Sequence, residues 1–389
     1  MKPSHHPSHY DVIVIGVGSM GAAACYYLAR QGARVLGLEQ FDIPHELGSH
    51  AGQSRIIRKA YFEHPDYVPL LQRAYQNWQK IEAISSQQLY HPSGLLYLGQ
   101  PDSGLMTSVL ATAGLYDIEV AELSHLQAKI RYPKIRIPEG YTALLEPDAG
   151  FISPEKAIIC YTEQARQLGA QIQSNEKTVS WHLTNTGISV QTEHRHYTAD
   201  KVVITAGAWA GKLLPDLAPR LSVTRQVIAW VNPKKQAPFA LGQFPCWVIA
   251  LPDQPGIYYG FPMLPADSFS GPTGLKIAYH HPGLVSDPDA VDREVDPAET
   301  EQLIRVLDQF MPHTFNGIEA VKTCLYTSTP DEHFIIDLLP GTDKKVVVAA
   351  GFSGHGFKFV SVMGEILADL ALKGKTELPV GFLGLGRFL

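Results

Sequence analysis

The sequence predicts an α/β (α+β) protein in which a second, mainly antiparallel domain is inserted into a domain built around parallel strands. Three observations predict this class. A strand–helix–strand pattern opens the chain, and two later segments repeat the order of a buried strand followed by a glycine-rich turn. The stretches between these segments alternate apolar and polar residues as antiparallel strands do.

The first pattern lies at the N-terminal end. Residues 11–15 form a β-branched run typical of a buried parallel strand, and the glycine pattern GVGSMG follows it at 16–21. Residues 22–30 are predicted to be helical, Gly32 ends the helix, and residues 34–38 are predicted to form a second strand. Together these elements make a complete βαβ unit.

The glycines of this unit predict a dinucleotide site. Gly16 permits a tight turn, Gly18 lets the backbone approach a pyrophosphate, and Gly21 lets the helix pack closely on the strand. The helix N-terminus attracts the same anion. Glu39, after the second strand, is placed to accept hydrogen bonds from a ribose hydroxyl. The unit therefore predicts a Rossmann-like domain, but it does not distinguish NAD from FAD.

The two later segments favour FAD. Residues 201–205 form a buried strand that opens into a turn with Gly207 and Trp209. This turn resembles the second nucleotide contact of two-dinucleotide-type flavoproteins. A strand is also predicted at 345–350, followed by an amphipathic helix that ends near Lys373. The N-terminus of that helix suits the anionic pyrimidine end of a reduced flavin. The glycines of the turn between strand and helix are Gly351, Gly354 and Gly356.

The segments between these pieces have another pattern, and most of them are interpreted as a second domain inserted into the first. Residues 67–83 are predicted to be helical, residues 89–98 to form a strand, and residues 221–279 to form antiparallel strands with Pro and Gly breaks. No internal repeat or low-complexity linker separates them. The predicted cofactor domain comprises residues 1–84, 151–215 and 321–389. The predicted substrate domain comprises residues 85–150 and 216–320.

Composition and charge exclude several classes of function. The chain has 389 residues and a net charge of −6, with Lys and Arg scattered along it, so no basic surface is predicted for nucleic acid. The cysteines lie far apart without a CxxC pair, which argues against a disulfide framework and a zinc site and favours a reducing compartment. No metal is predicted. The four cysteines are Cys25, Cys160, Cys246 and Cys324.

The sequence also predicts a cytoplasmic protein without a membrane span. The polar N-terminal residues 1–11 lack the apolar core of a secretory signal. Residues 12–29 are uncharged, but their glycines and their change of period argue against a membrane helix. The C-terminal residues 387–389 are not a peroxisomal signal.

Several blocks, taken in order, resemble the monomeric sarcosine oxidase and N-methyltryptophan oxidase family, within the glycine oxidase and D-amino acid oxidase-like superfamily. The resemblance covers almost the whole chain. It implies a Rossmann-like FAD-binding domain with an inserted substrate domain, and a monomer that oxidises an N-methyl amino acid with molecular oxygen. The blocks are 48–61, 258–262, 274–280, 322–331 and 351–359.

The resemblance also implies roles for cofactor-binding residues. Cys324 corresponds to the cysteine that holds FAD through a thioether to the 8α-methyl carbon, although a lone buried cysteine is ordinarily a small core residue. Ser54 and Arg55 lie in the flavin-binding block, with Arg55 beside the flavin face. Cys25, Cys160 and Cys246 lack such a context and are interpreted as core residues.

Arg58 and Lys358 resemble the cations that hold the substrate carboxylate, and Lys358 also lies in a cofactor-binding block. An Arg fork and a Lys charge in one cleft suit a small amino acid. From the residues alone, however, Arg58 is predicted on a solvated strand and Lys358 on an exposed helix face, because exposed cations are the rule.

The remaining catalytic residues are predicted in the same way. Lys276, between two apolar residues, is ordinarily an outward residue of an edge strand, whereas the resemblance places it over the flavin, assisting oxygen reduction. Tyr259, Tyr326 and His280 match substrate-pocket positions. The adjacent His281 shows that a histidine here need not be functional, and the His pair lacks metal-ligand spacing.

Two departures from the family pattern leave the substrate open. The connection 262–274 is longer than in the family, and Ala51 stands where relatives often have a second histidine after His50. The alternatives are an oxidase of a cyclic imino acid or of a sugar-amine adduct, a flavin dehydrogenase with another electron acceptor, and a flavin-binding structural or sensor protein. Lys276 speaks against the dehydrogenase.

Overall fold

A computed structural model of the protein describes residues 9–388. Most of the N-terminal tail and Leu389, on which two predictions about targeting depend, lie outside these residues. Two large sheets and a small third one pack with helices into a mixed α/β architecture. The predicted fold class is confirmed.

The first sheet has a parallel centre in the order β9-β2-β1-β12-β20, and the hairpin β10-β11 and strand β19 extend it in antiparallel fashion. The central strands are buried on both faces, as the apolar run at 11–15 predicts. Its strands are β1 (His9–Ile15), β2 (Val35–Leu38), β9 (Gln171–Gln173), β10 (Thr178–Thr184), β11 (Gly187–Thr192), β12 (His196–Ile204), β19 (Ile335–Leu338) and β20 (Val346–Ala350).

Within residues 9–388, the α-helices are α1 (Ser19–Arg30), α2 (Val68–Ser85), α3 (Gly104–Tyr116), α4 (His125–Arg131), α5 (Pro154–Gln167), α6 (Ala210–Leu213), α7 (Pro297–Phe310) and α8 (Val360–Lys373). Helix α1 packs between α5 and α8. A Cβ atom at Gly364 of α8 would lie 2.7 Å from Ala23, so α1 and α8 approach to backbone contact. None of the helices in this part of the chain combines the length and the apolar character that crossing a bilayer requires.

The second sheet is mainly antiparallel, in the order β17-β13-β16-β15-β14-β5-β7-β6, and β18 pairs with the other side of β13. The predicted alternation at 221–279 is therefore correct. The boundary predicted at 320/321 falls inside β18, so the residues after 320 begin in this sheet. Its strands are β5 (Leu95–Gly99), β6 (Ala121–Leu123), β7 (Thr142–Glu146), β13 (Ser222–Pro233), β14 (Cys246–Ala250), β15 (Ile257–Phe261), β16 (Leu275–His280), β17 (Leu284–Val285) and β18 (Phe315–Ser328).

A small sheet contains β3 (Arg55–Ile57), β8 (Gly150–Ile152) and β4 (Tyr90–His91), with β8 in the centre. The single strand predicted at 89–98 is wrong, because Pro92 and the left-handed Gly94 (φ 71°) separate β4 from β5. Strand β3 carries the predicted site residues Arg55 and, just beyond its end, Arg58 into the centre of the molecule.

Candidate active site

A cavity of about 370 Å³ opens where the parallel strands of the first sheet end. Ile15, Leu38, Thr205 and Gly351 mark these strand ends in its wall. In an open α/β sheet this is where ligands bind. The predicted cofactor residues that line it are Gly16, Gly18, Glu39, Arg55, Gly207, Trp209, Gly351, Gly354 and Gly356.

The glycine turn after β1 leaves no room for a side chain at Gly16 or Gly21, but it is open at Gly18. Gly16 has φ 92°, and a Cβ atom there would lie 2.7 Å from the Thr205 carbonyl oxygen. A Cβ atom at Gly21 would lie 1.9 Å from the Gly16 carbonyl oxygen, so Gly21 packs behind the turn and does not line the cavity. Gly18 has no atom within 4 Å of the corresponding position. The backbone at Gly18 is therefore accessible to a ligand in the cavity.

Glu39 provides the acidic end of this cavity. Its carboxylate accepts hydrogen bonds from the Val17 N–H at 2.9 Å and the Phe41 N–H at 3.1 Å. Burial raises its pKa to about 7, although these backbone bonds act in the opposite direction. Both bonds fix the carboxylate at the wall, where it can accept a hydrogen bond from a ligand hydroxyl.

Two polar side chains in the same wall lack partners. Within residues 9–388, His50 Nε2 and Thr327 Oγ1 are buried without any hydrogen bond. A buried polar atom without a partner costs about 1 to 3 kcal/mol. A polar, elongated ligand with phosphate and hydroxyl groups would satisfy them, so the residues present fit a dinucleotide.

A smaller cavity of about 70 Å³ adjoins the first and shares Arg55, Tyr326, Gly354 and Phe357 with it. Among the predicted site residues, it is also lined by Arg58, Tyr259, His280 and Lys358. Lys358 lines only this smaller cavity. The predicted substrate residues are thus brought together next to the cofactor cavity.

Arg58 is buried, with 3% of its surface exposed, and its guanidinium lies 3.7 Å from the centre of the Phe62 ring. The solvated-strand interpretation is wrong, because a carboxylate compensates the buried charge. Arg58 donates to Glu63 at 2.5 Å. Burial alone would raise the pKa of Glu63, but Arg58, His355 and Lys358 outweigh it and lower the pKa to about 2.

Lys358 lies in a 3-10 turn, Phe357–Phe359, that leads into α8. Its ammonium donates to the His355 carbonyl at 2.7 Å and lies 5.1 Å from the centre of the Tyr61 ring. The exposed-helix interpretation is wrong, since the side chain points into the interior. Burial and, to a lesser extent, the Arg58 charge lower the pKa of Lys358 to about 7, while Glu63 acts in the opposite direction.

His355 joins this group through a fixed ring. Its Nε2–H donates to the Glu332 carbonyl at 3.0 Å, so Nδ1 accepts the bond from the Tyr61 hydroxyl at 2.5 Å. Burial lowers the pKa of His355 to about 3, which keeps the ring neutral. The pair holds Tyr61, whose ring lies 4.4 Å from the Arg58 guanidinium.

His280 and two tyrosines form the wall of the smaller cavity nearest the second sheet. His280 Nδ1 and the Tyr326 hydroxyl are 3.1 Å apart, and the Tyr259 and His280 rings lie 6.5 Å apart. Burial lowers the pKa of His280 to about 4. His281, by contrast, is half-exposed and stacks on Tyr279.

Lys276 is only 2% exposed and lies on β16, which has β13 on one side and β15 on the other. The edge-strand interpretation is therefore wrong. Its ammonium donates to the carbonyls of Gly52 at 2.6 Å and Ser54 at 2.8 Å. Burial lowers the pKa of Lys276 well below its ordinary value. Neither Lys276 nor Ser54 lines either of the two cavities described above.

Cys324 is 1% exposed and packs with Ile228, Trp230, Ala278 and Tyr326. It lies on β18 two residues before Tyr326 and so faces the same side of the sheet, but it does not line the cofactor cavity. Burial raises the pKa of the Cys324 thiol, while Arg55 and Lys276 act to lower it. Cys25, Cys160 and Cys246 are also buried.

Sequence reasoning missed several residues of these walls. Glu63 lies five residues after Arg58 without a recognisable pattern, and only the folded chain pairs them. Thr205 lies at the end of a predicted strand, and this location was the one feature of the sequence that could have indicated that it lines the cavity. The others are His50, Thr327 and His355. Across residues 9–388, three or more His, Cys, Asp or Glu side chains nowhere come together as metal ligands would; the metal prediction stays a prediction.

The fold and the larger cavity define a dinucleotide-binding protein. Comparisons with known proteins make this class more precise. Residues 11–370 match the family model described as FAD dependent oxidoreductase (DAO). The monomeric sarcosine oxidase of Streptomyces avermitilis is 39% identical over 375 residues, which cover 96% of this chain and 96% of that relative.

Two further relatives agree. The N-methyl-L-tryptophan oxidase of Citrobacter koseri is 37% identical over 376 residues, covering 94% of this chain and 95% of its own. A solved structure of NikD, described as an unusual amino acid oxidase essential for nikkomycin biosynthesis, has a TM-score of 0.85 at 26% identity and covers 97% of both chains.

The chain therefore belongs to the FAD dependent oxidoreductase family, and within it to the sarcosine oxidase and N-methyltryptophan oxidase group that the sequence blocks predict. The protein is an enzyme of the oxidoreductase class. FAD is the dinucleotide that this family implies for the larger cavity.

Proposed function

We propose that the protein oxidises a small N-methyl amino acid such as sarcosine with molecular oxygen. The secondary amine, water and oxygen give the demethylated amino acid, formaldehyde and hydrogen peroxide. One observation carries the proposal: Arg58 and Lys358 converge in a small buried cavity that shares its wall with the cofactor cavity. The names of the relatives support the same chemistry.

The two cations would bind the substrate carboxylate. Arg58 has a fork that can hold both carboxylate oxygens, and Lys358 adds a second charge. Glu63 already occupies one side of the Arg58 guanidinium, so the pair keeps this cation charged and oriented before substrate arrives. With the carboxylate fixed, the amine points toward the shared wall.

The size of the smaller cavity favours a small substrate. Its volume of about 70 Å³ lies far below the roughly 300 to 1,000 Å³ of pockets for drug-sized ligands. Apolar side chains close the space that a large substituent would occupy. These are Ile56, Phe62, Val248 and Ile257. We therefore expect sarcosine to be a better substrate than N-methyl-L-tryptophan.

The side chains near the shared wall would orient the amine. Tyr259 and Tyr326 present hydroxyl groups, and His280 is neutral because burial lowers its pKa to about 4. A neutral ring beside the site leaves the positive charge to Arg58 and Lys358. Tyr259, Tyr326 and His280 would direct the N-methyl group toward the cofactor cavity and would exclude water from the space around it.

A bound FAD would supply the redox chemistry of the site, as an acceptor for two electrons from the amine that oxygen can reoxidise. The glycine turns at Gly16 and Gly18 and the carboxylate of Glu39 would hold its dinucleotide part. Cys324 would hold it covalently through a thioether, which replaces one hydrogen of the thiol and one of the 8α-methyl group. Molecular oxygen would be the oxidant for this attachment and would take up the two electrons and two protons as hydrogen peroxide.

Lys276 would supply the positive charge for oxygen reduction. Its buried ammonium lies 4.4 Å from the centre of the Phe261 ring and near Arg55. A fixed charge in a water-poor site stabilises negative charge that develops on oxygen.

The resemblance to the monomeric sarcosine oxidase family supports a monomer. The buried free cysteines support a reducing, cytoplasmic location.

An anaerobic panel tests the proposal. The yellow protein is mixed without oxygen with sarcosine, N-methyl-L-tryptophan, L-proline and a fructosyl amino acid, and bleaching is followed. We expect sarcosine to bleach the flavin fastest, and we expect peroxide in proportion to substrate when oxygen is admitted. Fastest bleaching by L-proline or the fructosyl compound would contradict the substrate, and absence of bleaching by all four would contradict the reaction.

Lys276→Met tests the oxygen role separately. Recolouring of the reduced flavin with oxygen should slow, while bleaching by substrate without oxygen stays comparatively intact, because a neutral side chain cannot stabilise charge on oxygen. Stopped-flow absorbance measures the two half-reactions independently. If bleaching slows as much as recolouring, Lys276 is a substrate or packing residue.

A further inference from the structure

The segment from Ser49 to Ser54 directs its carbonyl oxygens at two cations, the buried Lys276 and the half-buried Arg55. Lys276 donates to the carbonyls of Gly52 and Ser54 and, at 3.2 Å, to the Ser54 hydroxyl. Arg55 donates to the carbonyls of Ser49, Ala51 and Ser54 at 2.7 to 2.9 Å. The position of both cations therefore depends on the shape of this segment.

The segment turns through an unfavourable conformation. Gly52 has φ 113° and Gln53 has φ 67°, and the second value is uncommon for a residue with a side chain. The Gln53 side chain accepts from Trp230 Nε1 at 2.8 Å and donates to the carbonyls of Ser270 and Pro272. The long connection 262–274 thus packs against the turn.

Glu155 holds the opposite side of this turn. One of its carboxylate oxygens accepts from the Gly52 N–H at 2.8 Å and from the Gln53 N–H at 3.2 Å. Glu155 lies in the first turn of α5, where the helix dipole favours a negative charge. The peptide groups of the turn are thereby oriented, with N–H groups toward the carboxylate and carbonyls toward Lys276.

We propose that Glu155 is a positioning residue for the oxygen half-reaction, which holds the Gly52–Gln53 turn so that its carbonyls fix Lys276 as a cation beside the cofactor cavity. The inference rests on the proposed oxygen role of Lys276. Glu155 touches neither cavity, so it would act through the turn and through its charge.

The charges around Lys276 support this role. Burial lowers the pKa of Lys276 most, and Arg55 on β3 lowers it further. Glu155 on α5 raises it, as do the thiols Cys324 on β18 and Cys246 on β14. Trp230 and Phe261 from the adjacent strands are uncharged. Glu155 is therefore the carboxylate that opposes the neutralisation of Lys276.

Glu155→Gln and Glu155→Ala separate the two effects in the flavin-loaded enzyme. Gln keeps an acceptor oxygen but loses the charge, so the pH at which recolouring begins to slow on the alkaline side should move down by about one unit. Ala should slow recolouring further, roughly tenfold. Bleaching by substrate should change little in both variants. Glu163→Gln, an exposed change on the same helix, is the matched control.

Amide hydrogen exchange of residues 49–55, measured by mass spectrometry, gives a readout independent of turnover. Exchange should accelerate in Glu155→Ala and remain close to wild type in Glu155→Gln and Glu163→Gln. An unshifted pH profile in Glu155→Gln together with unchanged exchange in Glu155→Ala would overturn the inference. If Lys276→Met slows recolouring and the Glu155 variants do not, only the inference fails. If Lys276→Met has no effect, the oxygen role fails as well.

Discussion

Two cations, Arg58 and Lys358, share the smaller cavity with the carboxylate of Glu63. The carboxylate lowers the cost of burying Arg58, whereas the nearby Arg58 charge increases the cost of charging Lys358. A bound substrate carboxylate would relieve this repulsion. The cavity is therefore arranged to gain most when an anion enters it.

Arg58→Ala should weaken substrate binding while the flavin spectrum stays nearly unchanged. A charge-assisted bond contributes about 1.5 to 3 kcal/mol, which corresponds to roughly a tenfold to hundredfold loss in affinity. Steady-state KM and anaerobic substrate titration measure the effect. Arg305→Ala, an exposed change on α7, is the control. An unchanged KM for every substrate would remove Arg58 from the site.

Cys324→Ala should abolish covalent flavin attachment and leave the fold intact. The cavity wall at Gly16, Gly18 and Glu39 does not involve the thiol, so dissociable flavin should still bind. Acid precipitation should leave the colour with the wild-type polypeptide and release it from the variant. Cys160→Ala should behave like wild type in this assay. Release of all colour from freshly purified wild type would contradict a thioether.

The side chains of the site differ in how far sequence could place them. Arg58 and Lys276 look like surface residues in sequence, because cations are usually exposed. Lys276 in addition lies between two apolar residues, a pattern that usually places the charged side chain outward. The burial of both cations depends on Glu63 and on the Gly52 and Ser54 carbonyls, partners that only tertiary structure supplies. The resemblance to a known family placed them where the pattern alone did not.

At the scale of elements, the first turn and α1 form one rigid unit. A Cβ atom at Gly21 would lie 1.9 Å from the Gly16 carbonyl oxygen, which is backbone and cannot move aside. Gly21→Ala should therefore shift α1, lower the melting temperature and weaken flavin binding. Gly114→Ala in α3, where no atom lies within 4 Å, should be neutral or stabilise by up to about 1 kcal/mol.

Differential scanning fluorimetry and flavin titration of the two variants make the comparison. Equal melting temperatures and flavin affinities for Gly21→Ala and Gly114→Ala would show that the close approach at Gly21 is not required.

Sequence patterns predicted these elements well where the spacing of apolar residues and the positions of glycines indicated the same boundaries. The helix predicted at 22–30 begins three residues earlier, at Ser19, because Gly18 is its N-cap. The prediction of one strand at 89–98 was wrong, because a buried apolar run does not indicate which sheet each part of it joins. Here β4 joins the small sheet and β5 the second sheet.

At the scale of the whole molecule, buried and half-buried histidines make the fold sensitive to acid. Burial lowers the pKa of each imidazole from 6.5 to about 3 or 4. Below pH 6.5 the unfolded chain therefore binds more protons than the folded chain, and this favours unfolding. The contribution of these neutral histidines to the free energy of unfolding is complete above pH 6.5 and is lost as the pH falls toward 4. These residues are His45, His50, His91, His280 and His355.

Glu39 acts with the opposite sign. Its pKa is raised from 4.5 to about 7, so its contribution is complete below pH 4.5 and is lost as the pH rises through 7. Glu146, whose pKa burial also raises, acts in the same direction as Glu39. These two carboxylates against five histidines leave a net loss of stability on acidification.

The free energy of unfolding, measured with urea at pH 7 and pH 5, should fall at the lower pH. In His91→Gln this fall should shrink by on the order of 1 kcal/mol, because one buried imidazole is gone. His182→Gln, an exposed change on β10, should leave it unaltered. An equal fall in wild type and His91→Gln would contradict the account.

The first sheet joins both ends of the chain: β1 pairs with β12, β12 pairs with β20, and α1 packs on α8. During synthesis the glycine turn after β1 thus leaves the ribosome long before its opposite wall, residues 351–357. The cofactor cavity is therefore incomplete until residues 351–357 have been synthesised and have packed opposite this turn. We expect flavin loading to follow the folding of these late residues rather than to accompany the synthesis of the first strand.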